Sequence, residues 1–290
     1  SIDVRGDINL NGVANEIADA VMFTNYFVYN LTAFGDHVEG SIAASDVNAD
    51  GIPLTVADLV YMVRIITADA MPYEKLSPGA SEAAVHLSVN HSAAAVSVNS
   101  PEDIGGGYFV FEHSGYEIGE PHLINGASDM TLKYSDENDL LKVLVYSMED
   151  DIRIKAGSEN IFVIPIEGRG AIELSEVQLS DYHGNLLTVD KSDRAVLPRH
   201  FALHQNYPNP FNAVTQIIYE LPQASHVKIE IRNIMGQRVA TLIDKVEDAG
   251  VHRVQWDGLD QSGSEAASGI YIYRLEVDDF VASKKMTLLK

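Results

Sequence analysis

Two short segments of this chain repeat one pattern: Asp7-Ile8-Asn9-Leu10-Asn11-Gly12-Val13 and Asp46-Val47-Asn48-Ala49-Asp50-Gly51-Ile52. Each places an oxygen-bearing side chain at its first, third and fifth positions and a glycine at the sixth. A chain that curls tightly enough to aim alternate side chains inward makes a cage of oxygens, which is what a hard cation such as calcium takes, six to eight ligands at once. Gly12 and Gly51 supply the sharp turn. The backbone carbonyls of Val13 and Ile52 add a ligand each, and Asp19 and Asp58 close the shells from the first turn of a following helix. Asp7, Asn9, Asn11, Val13 and Asp19 are therefore the candidate ligands of one calcium site, and Asp46, Asn48, Asp50, Ile52 and Asp58 those of a second. Both loops run one residue longer than the 12-residue EF-hand loop, and the shared extra residue marks a variant design. Glu16 is an alternative closing group in the first loop; the second has Thr55 at that place. The competing reading is a pair of Asx-rich turns that cap helices without metal.

By carboxylates, the first site has Asp7 and Asp19, and the second has Asp46, Asp50 and Asp58, so the second is expected to bind more tightly. Apolar residues follow each loop at helical spacing: Ile17, Val21, Thr24, Phe27, Val28 and Leu31, then Val56, Leu59, Val60, Val63 and Ile66. The loop–helix pairs resemble a type I dockerin across residues 1–72, on Gly6-Asp7-Ile8-Asn9-Leu10-Asn11-Gly12 and Ser45-Asp46-Val47-Asn48-Ala49-Asp50-Gly51. The resemblance implies a calcium-folded module that docks on a cohesin-type β-sandwich. An insertion between the repeats, Tyr29 to Ala44, departs from that pattern. So do Glu16, Ile17, Thr55 and Val56, which stand where dockerins usually carry small hydroxyl residues, and a different partner specificity is expected.

Residues 73–82, with a Pro78-Gly79 turn pair, read as a linker, and the grammar then changes. Residues 83–190 carry short apolar runs: Val85, Leu87 and Val89; Tyr108 to Phe111; Leu140 to Val145; Asn160 to Ile166; Leu174 to Leu179. Turn signals at Asn125-Gly126, Asp136 to Asp139 and His183-Gly184-Asn185 separate them, which predicts a β-sandwich. The stretch Ile172 to Asp181, with Gly184-Asn185-Leu186-Leu187, is similar to cohesin-like domains. The Gly105-Gly106-Gly107 run, with no helix and no GK[ST] behind it, reads as a flexible turn.

Residues 191–200 read as a second linker. In residues 201–290, Val227, Ile229 and Ile231 alternate with Lys228, Glu230 and Arg232, predicting a small immunoglobulin-like sandwich. Leu203 to Asn212, Ile234-Met235-Gly236-Gln237, Trp256-Asp257-Gly258, Gly269-Ile270-Tyr271 and Lys284-Lys285-Met286 closely resemble the type A C-terminal sorting domain of the type IX secretion system. That resemblance implies export by this secretion machinery to the exterior or cell surface of a Gram-negative-type bacterium, usually with removal of the domain. Pro208 and Pro210 exclude a helix there.

The chain has 42 acidic and 20 basic residues, a formal net charge of -22. That balance disfavours nucleic acid and anionic membranes as partners. With no cysteine, neither disulfides nor thiolate metal sites are open to it. No run approaches a membrane span. No HExxH, GxSxG or phosphate-cradling pattern occurs, and no enzymatic activity is expected. His200 and His204 read as exposed linker residues.

The fold class expected is thus a small α-helical calcium-loop module followed by a cohesin-like and an immunoglobulin-like β-sandwich. The function expected is calcium-dependent, non-catalytic assembly. The dockerin-like part meets another protein's cohesin-like domain, another copy's in a head-to-tail filament, or its own. The alternative is a carbohydrate-binding or anchoring fragment of a larger secreted polysaccharide-degrading enzyme.

Overall fold

Three α-helices come first: α1 (Ile17–Tyr29), α2 (Val38–Ala44) and α3 (Val56–Ile66). The structure is a computed structural model describing residues 5–72, 81–90, 92–149, 151–191, 198 and 200–289. Most of the two expected linkers, at 73–80 and 192–197, lies outside the described residues. Glu16 and Thr55 are extended residues that open α1 and α3, and Asp19 and Asp58 complete a capping box on each, so the helix starts are set by the same residues that end the loops. The insertion between the repeats folds as a 3₁₀ segment, Asn30–His37, and α2. Phe34 anchors it, buried and stacked on Tyr26 at 5.4 Å.

α1 buries Ala20, Phe23, Thr24, Phe27 and Val28. The helical spacing that includes Ile17 and Val21 does not describe this face, because these two are 64% and 51% exposed. The large rings of Phe23 and Phe27, stacked at 5.4 Å, bury more apolar area than the aliphatic row and orient the helix.

Eight strands follow: β1 (Glu82–Val89), β2 (Ala93–Ser100), β3 (Ile104–Ile118), β4 (His122–Leu123), β5 (Thr131–Glu137), β6 (Leu140–Tyr146), β7 (Gly157–Asp181) and β8 (Thr188–Asp190). Their order is β5-β6-β3-β7-β2-β1-β8, with β4 also on β7. The hairpin β5-β6 turns on Asn138 and Asp139, both at positive φ (56° and 63°), the geometry a two-residue hairpin needs. β7 is long enough to serve two layers. Its Phe162 and Val163 pair with β4, and Ile166 to Asp181 pair with β3. The Phe162 ring lies 5.1 Å from Phe109 and 6.2 Å from Phe111 of β3, which makes the interior of a sandwich.

The first half of β3, Ile104 to Phe111, is buried on both faces. Side chains alternate along a strand, so Phe109 and Phe111 face the sandwich interior, while Tyr108 and Val110, with Leu144 of β6, share one core with Ile8, Phe23, Phe27, Phe34, Leu59 and Val63 of the helical segment. Helices and sandwich accordingly belong to one compact unit, Ser1–Leu87 with Val96–Arg194. Gly105, Gly106 and Gly107, expected as a flexible turn, are buried residues of β3. A β-carbon on Gly105 would lie 2.7 Å from Val60 Cγ1, so the missing side chain lets α3 approach the sheet.

The second unit, Ser88–Ala95 with Ala195–Lys290, contains β9 (Ala202–Leu203), β10 (Phe211–Asn212), β11 (Thr215–Leu221), β12 (Ser225–Asn233), β13 (Arg238–Glu247), β14 (Gly250–Trp256), β15 (Gly269–Val277) and β16 (Phe280–Leu289). One sheet is β10-β16-β15-β12-β13 and the other β14-β11-β9. Their shared core includes Ile217, Tyr219, Val227, Ile229, Ile231, Trp256 and Leu275. Buried Asn206 donates its backbone N–H to the Tyr273 hydroxyl at 2.9 Å and its Nδ2 to Thr215 Oγ1 at 2.9 Å and to the Pro208 carbonyl at 3.2 Å, fixing the proline-rich approach. His204, expected to be exposed, is carried inward by the pairing of β9 with β11. Its Nε2 lies 2.8 Å from Glu220 Oε1, with side chains 12% and 7% exposed.

Candidate functional site

The two loops match residue by residue in backbone conformation. Leu10 and Ala49 (φ 57° and 55°), Gly12 and Gly51 (91° and 93°), and Asn15 and Leu54 (58° and 65°) all take the left-handed region at equivalent places. Four of those six are not glycine, and two loops that accept the same local strain are curled the same way.

In the first loop Asp7 accepts the N–H groups of Asn11 (3.0 Å) and Gly12 (2.9 Å), Asn9 Oδ1 accepts from Asn11 N (3.0 Å), and Asn11 Oδ1 accepts from Val13 N (2.8 Å). Asp19 reaches back to accept from Asn9 N and Glu16 N, both at 3.0 Å. Glu16 also turns into the first loop. Its Oε1 accepts from Asn9 Nδ2 at 3.0 Å and from Asn11 Nδ2. Asp7, Glu16 and Asp19 thus bond within the first loop, as Asp46, Asp50 and Asp58 do within the second.

In the second loop Asp46 accepts from Gly51 N (3.3 Å), Asn48 Oδ1 from Asp50 N (3.1 Å) and Asp50 Oδ1 from Ile52 N (2.8 Å). Asp58 accepts from Asn48 N (3.4 Å), Thr55 N (3.0 Å) and the Thr55 hydroxyl (2.7 Å). Val13 and Ile52 stand at the mouths of the loops, 55% and 43% exposed.

Asp19 and Asp58 are fully buried. Neither pairs with a lysine or arginine among the described residues, and burial raises both carboxyls, Asp58 to about 7. A buried carboxylate without a counter-charge costs several kcal/mol, a cost that a cation held in either loop would offset. Among the described residues no three His, Cys, Asp or Glu side chains form a preformed cluster. Each loop instead mixes carboxylate, amide and carbonyl oxygens, the hard donors that suit calcium.

The helical segment reaches the sandwich through polar links as well as its core. Asn48 Nδ2 donates to the Gly184 carbonyl at 2.9 Å, Val56 N to Gln178 Oε1 at 3.1 Å, Lys142 Nζ to Asn30 Oδ1 at 2.8 Å, and Ser135 Oγ to the Val28 carbonyl at 2.7 Å. Arg64 bonds Asp69 at 2.7 Å and the His183 carbonyl at 3.1 Å. The Tyr182 ring lies between the Arg64 and Arg153 guanidiniums, 5.3 Å and 4.2 Å from its centroid. Sequence reading did not single out Tyr108, Val110 or Leu144 as a docking face. The available signal was that Tyr108 to Phe111 and Leu140 to Val145 are near-continuous apolar runs, as strands covered on both faces are.

The FlgD Ig-like domain family matches residues 212–279, within the second unit. Among solved structures the chain is similar to a non-cellulosomal cohesin from the archaeon Archaeoglobus fulgidus (12% identity over 38% of this chain and 86% of that one, TM-score 0.34). It is also similar to a type I cohesin–dockerin complex from Clostridium thermocellum (7% identity, 41% and 94%, TM-score 0.33). A third similarity is to dimeric latent PorU from Porphyromonas gingivalis (16% identity, 69% of this chain and 18% of that one, TM-score 0.28). No match was found among curated proteins. Among the described residues no helix is long and apolar enough to cross a membrane.

Proposed function

We propose that this is an exported, non-catalytic, calcium-dependent docking protein whose dockerin-like helices are seated on its own cohesin-like sandwich. The single observation that carries this reading is the shared core in which Phe23, Phe27, Leu59 and Val63 pack with Tyr108, Val110 and Leu144 of the same chain. In this reading the chain's own helices cover β3 and β6, which favours a monomer over a head-to-tail filament.

Calcium acts by neutralising Asp19 and Asp58 and by holding the loops that launch α1 and α3 in the curvature docking requires. Residues 201–290 carry the export address, supported by the proline-rich motif and the turn sequences quoted above.

Light scattering on the full chain with calcium and then with excess chelator tests the proposal. A monomer in calcium is expected. Particles that grow with protein concentration in calcium and dissolve in chelator would reverse the assignment to assembly between copies, and an absence of calcium binding by calorimetry would end the calcium reading.

A further inference from the structure

The Asn48 amide faces two ways. Its Oδ1 accepts from Asp50 N at 3.1 Å inside the second loop, and its Nδ2 donates to the Gly184 carbonyl at 2.9 Å, in the sandwich turn that follows β7, as well as to Asp50 Oδ2 of its own loop at 3.3 Å. The residue is fully buried. Asn9 holds the equivalent place in the first loop and makes the same inner bond, Oδ1 to Asn11 N at 3.0 Å, yet its Nδ2 turns to Glu16 of its own loop. The third residue of the second loop bonds to the sandwich, whereas the side chain of the third residue of the first bonds within its own loop.

The link needs a side chain that accepts on one side and donates on the other, as an amide does. A carboxylate would set an anionic oxygen against the Gly184 carbonyl oxygen in a buried place, an acceptor facing an acceptor.

The carbonyl is held in position from several directions. Gly184 has φ +87°, and a β-carbon on it would lie 2.8 Å from Tyr61 Cβ of α3. Asp181 accepts the N–H groups of His183 (2.9 Å) and Asn185 (2.8 Å) and the Asn185 amide (2.8 Å), closing the turn.

We infer that Asn48 couples calcium at the second loop to the seating of the helices on the sandwich, while the first loop binds its ion independently of docking. This rests on the calcium reading above. In that reading Asn48 Oδ1 is a ligand, so anything that moves the Gly184 carbonyl moves a ligand, and linkage makes the effect reciprocal: docking tightens the second site and calcium there tightens docking.

The full chain carries the test, in two backgrounds: Asp7→Ala leaves the second loop to be measured alone, and Asp46→Ala the first. Isothermal titration calorimetry with calcium reads affinity, hydrogen exchange across Ile104 to Phe111 reads seating, and circular dichroism checks that each variant folds. Gly184→Ala is expected to weaken the second loop by about tenfold and to leave the first unchanged. Asn48→Asp is expected to weaken the second loop and loosen β3 despite its added charge, whereas Asn9→Asp, which faces Glu16 of its own loop, leaves the exchange of β3 unchanged. Asn48→Asp and Asn9→Asp raising affinity alike would overturn the coupling, as would a second loop indifferent to Gly184→Ala. If Gly184→Ala does not fold, the Asn48 and Asn9 contrast decides alone. No heat in either background overturns the calcium reading and the coupling with it, while heat in both with an unresponsive second loop overturns the coupling only.

Discussion

Gly106 lies directly beneath Val60: a β-carbon built on Gly106 would sit 2.9 Å from Val60 Cγ2, 3.2 Å from the Val145 carbonyl oxygen and 3.3 Å from Val56 Cγ2. The closeness of α3 to the sheet is set by that absent side chain. Gly106→Ala should destabilise the first unit by about 1–3 kcal/mol, the usual cost of overfilling a packed site. Combining it with Val60→Ala should recover part of the loss in urea denaturation, a non-additivity expected of residues in contact. Strict additivity of the two changes would show that they do not meet.

Phe27 packs on Tyr108 at 5.1 Å and on Phe23 at 5.4 Å, a ring of α1 held between the sheet and its own helix. Phe27→Ala should cost about 3–5 kcal/mol. The loss should appear in hydrogen exchange of α1 and of β6 together, because both line the same core. Fast exchange confined to α1 would mean that the helix docks without that ring.

Glu16 gathers the side-chain amides of Asn9 and Asn11, and the first loop depends on it for its third carboxylate. Glu16→Gln should weaken calcium at that loop several-fold and leave the second unchanged, since affinity follows ligand charge. Calorimetry in the Asp46→Ala background measures it. Calcium at 100 times its dissociation constant should stabilise the intact protein by about 2.7 kcal/mol per occupied site, and chelator should remove that gain.

In the second unit the Lys228 ammonium, 2.8 Å from Glu230 Oε1, and the Arg232 guanidinium, 2.6 Å from Oε2, hold the Glu230 carboxyl down at about 2 against an ordinary 4.5. The folded chain therefore releases this proton more readily than the unfolded chain. Its contribution is fully present above about pH 4.5 and drains away as pH falls towards about 2. Thermal unfolding followed from pH 6 to pH 2 should lose stability over that window, and Glu230→Gln should flatten the slope. An unchanged slope in the variant would place the acid sensitivity in other carboxylates.

The reading of the sequence reached furthest where geometry is local. Oxygen donors on alternate residues, a glycine at the turn and an acid on the first helical turn lie within thirteen consecutive residues of each loop, and the matching φ values of Leu10 and Ala49 or Gly12 and Gly51 follow from that spacing. The strands were equally legible, as the Val227, Ile229 and Ile231 alternation in β12 illustrates. That the Glu16 side chain folds back to the amides of Asn9 and Asn11 is not legible in spacing alone. His204 was misplaced because its burial depends on β9 pairing with β11, a contact no local pattern announces.

What the amino-acid order determined by itself is the pair of curled loops, the helices they launch and the alternation of the strands, since each is fixed by forces between near neighbours. What only the tertiary structure decided is which surface the helices cover. The bond from Asn48 to Gly184 spans 136 positions of chain, and the packing of the helices on β3 and β6 comes from shape and apolar area brought together at long range, which residue spacing does not encode.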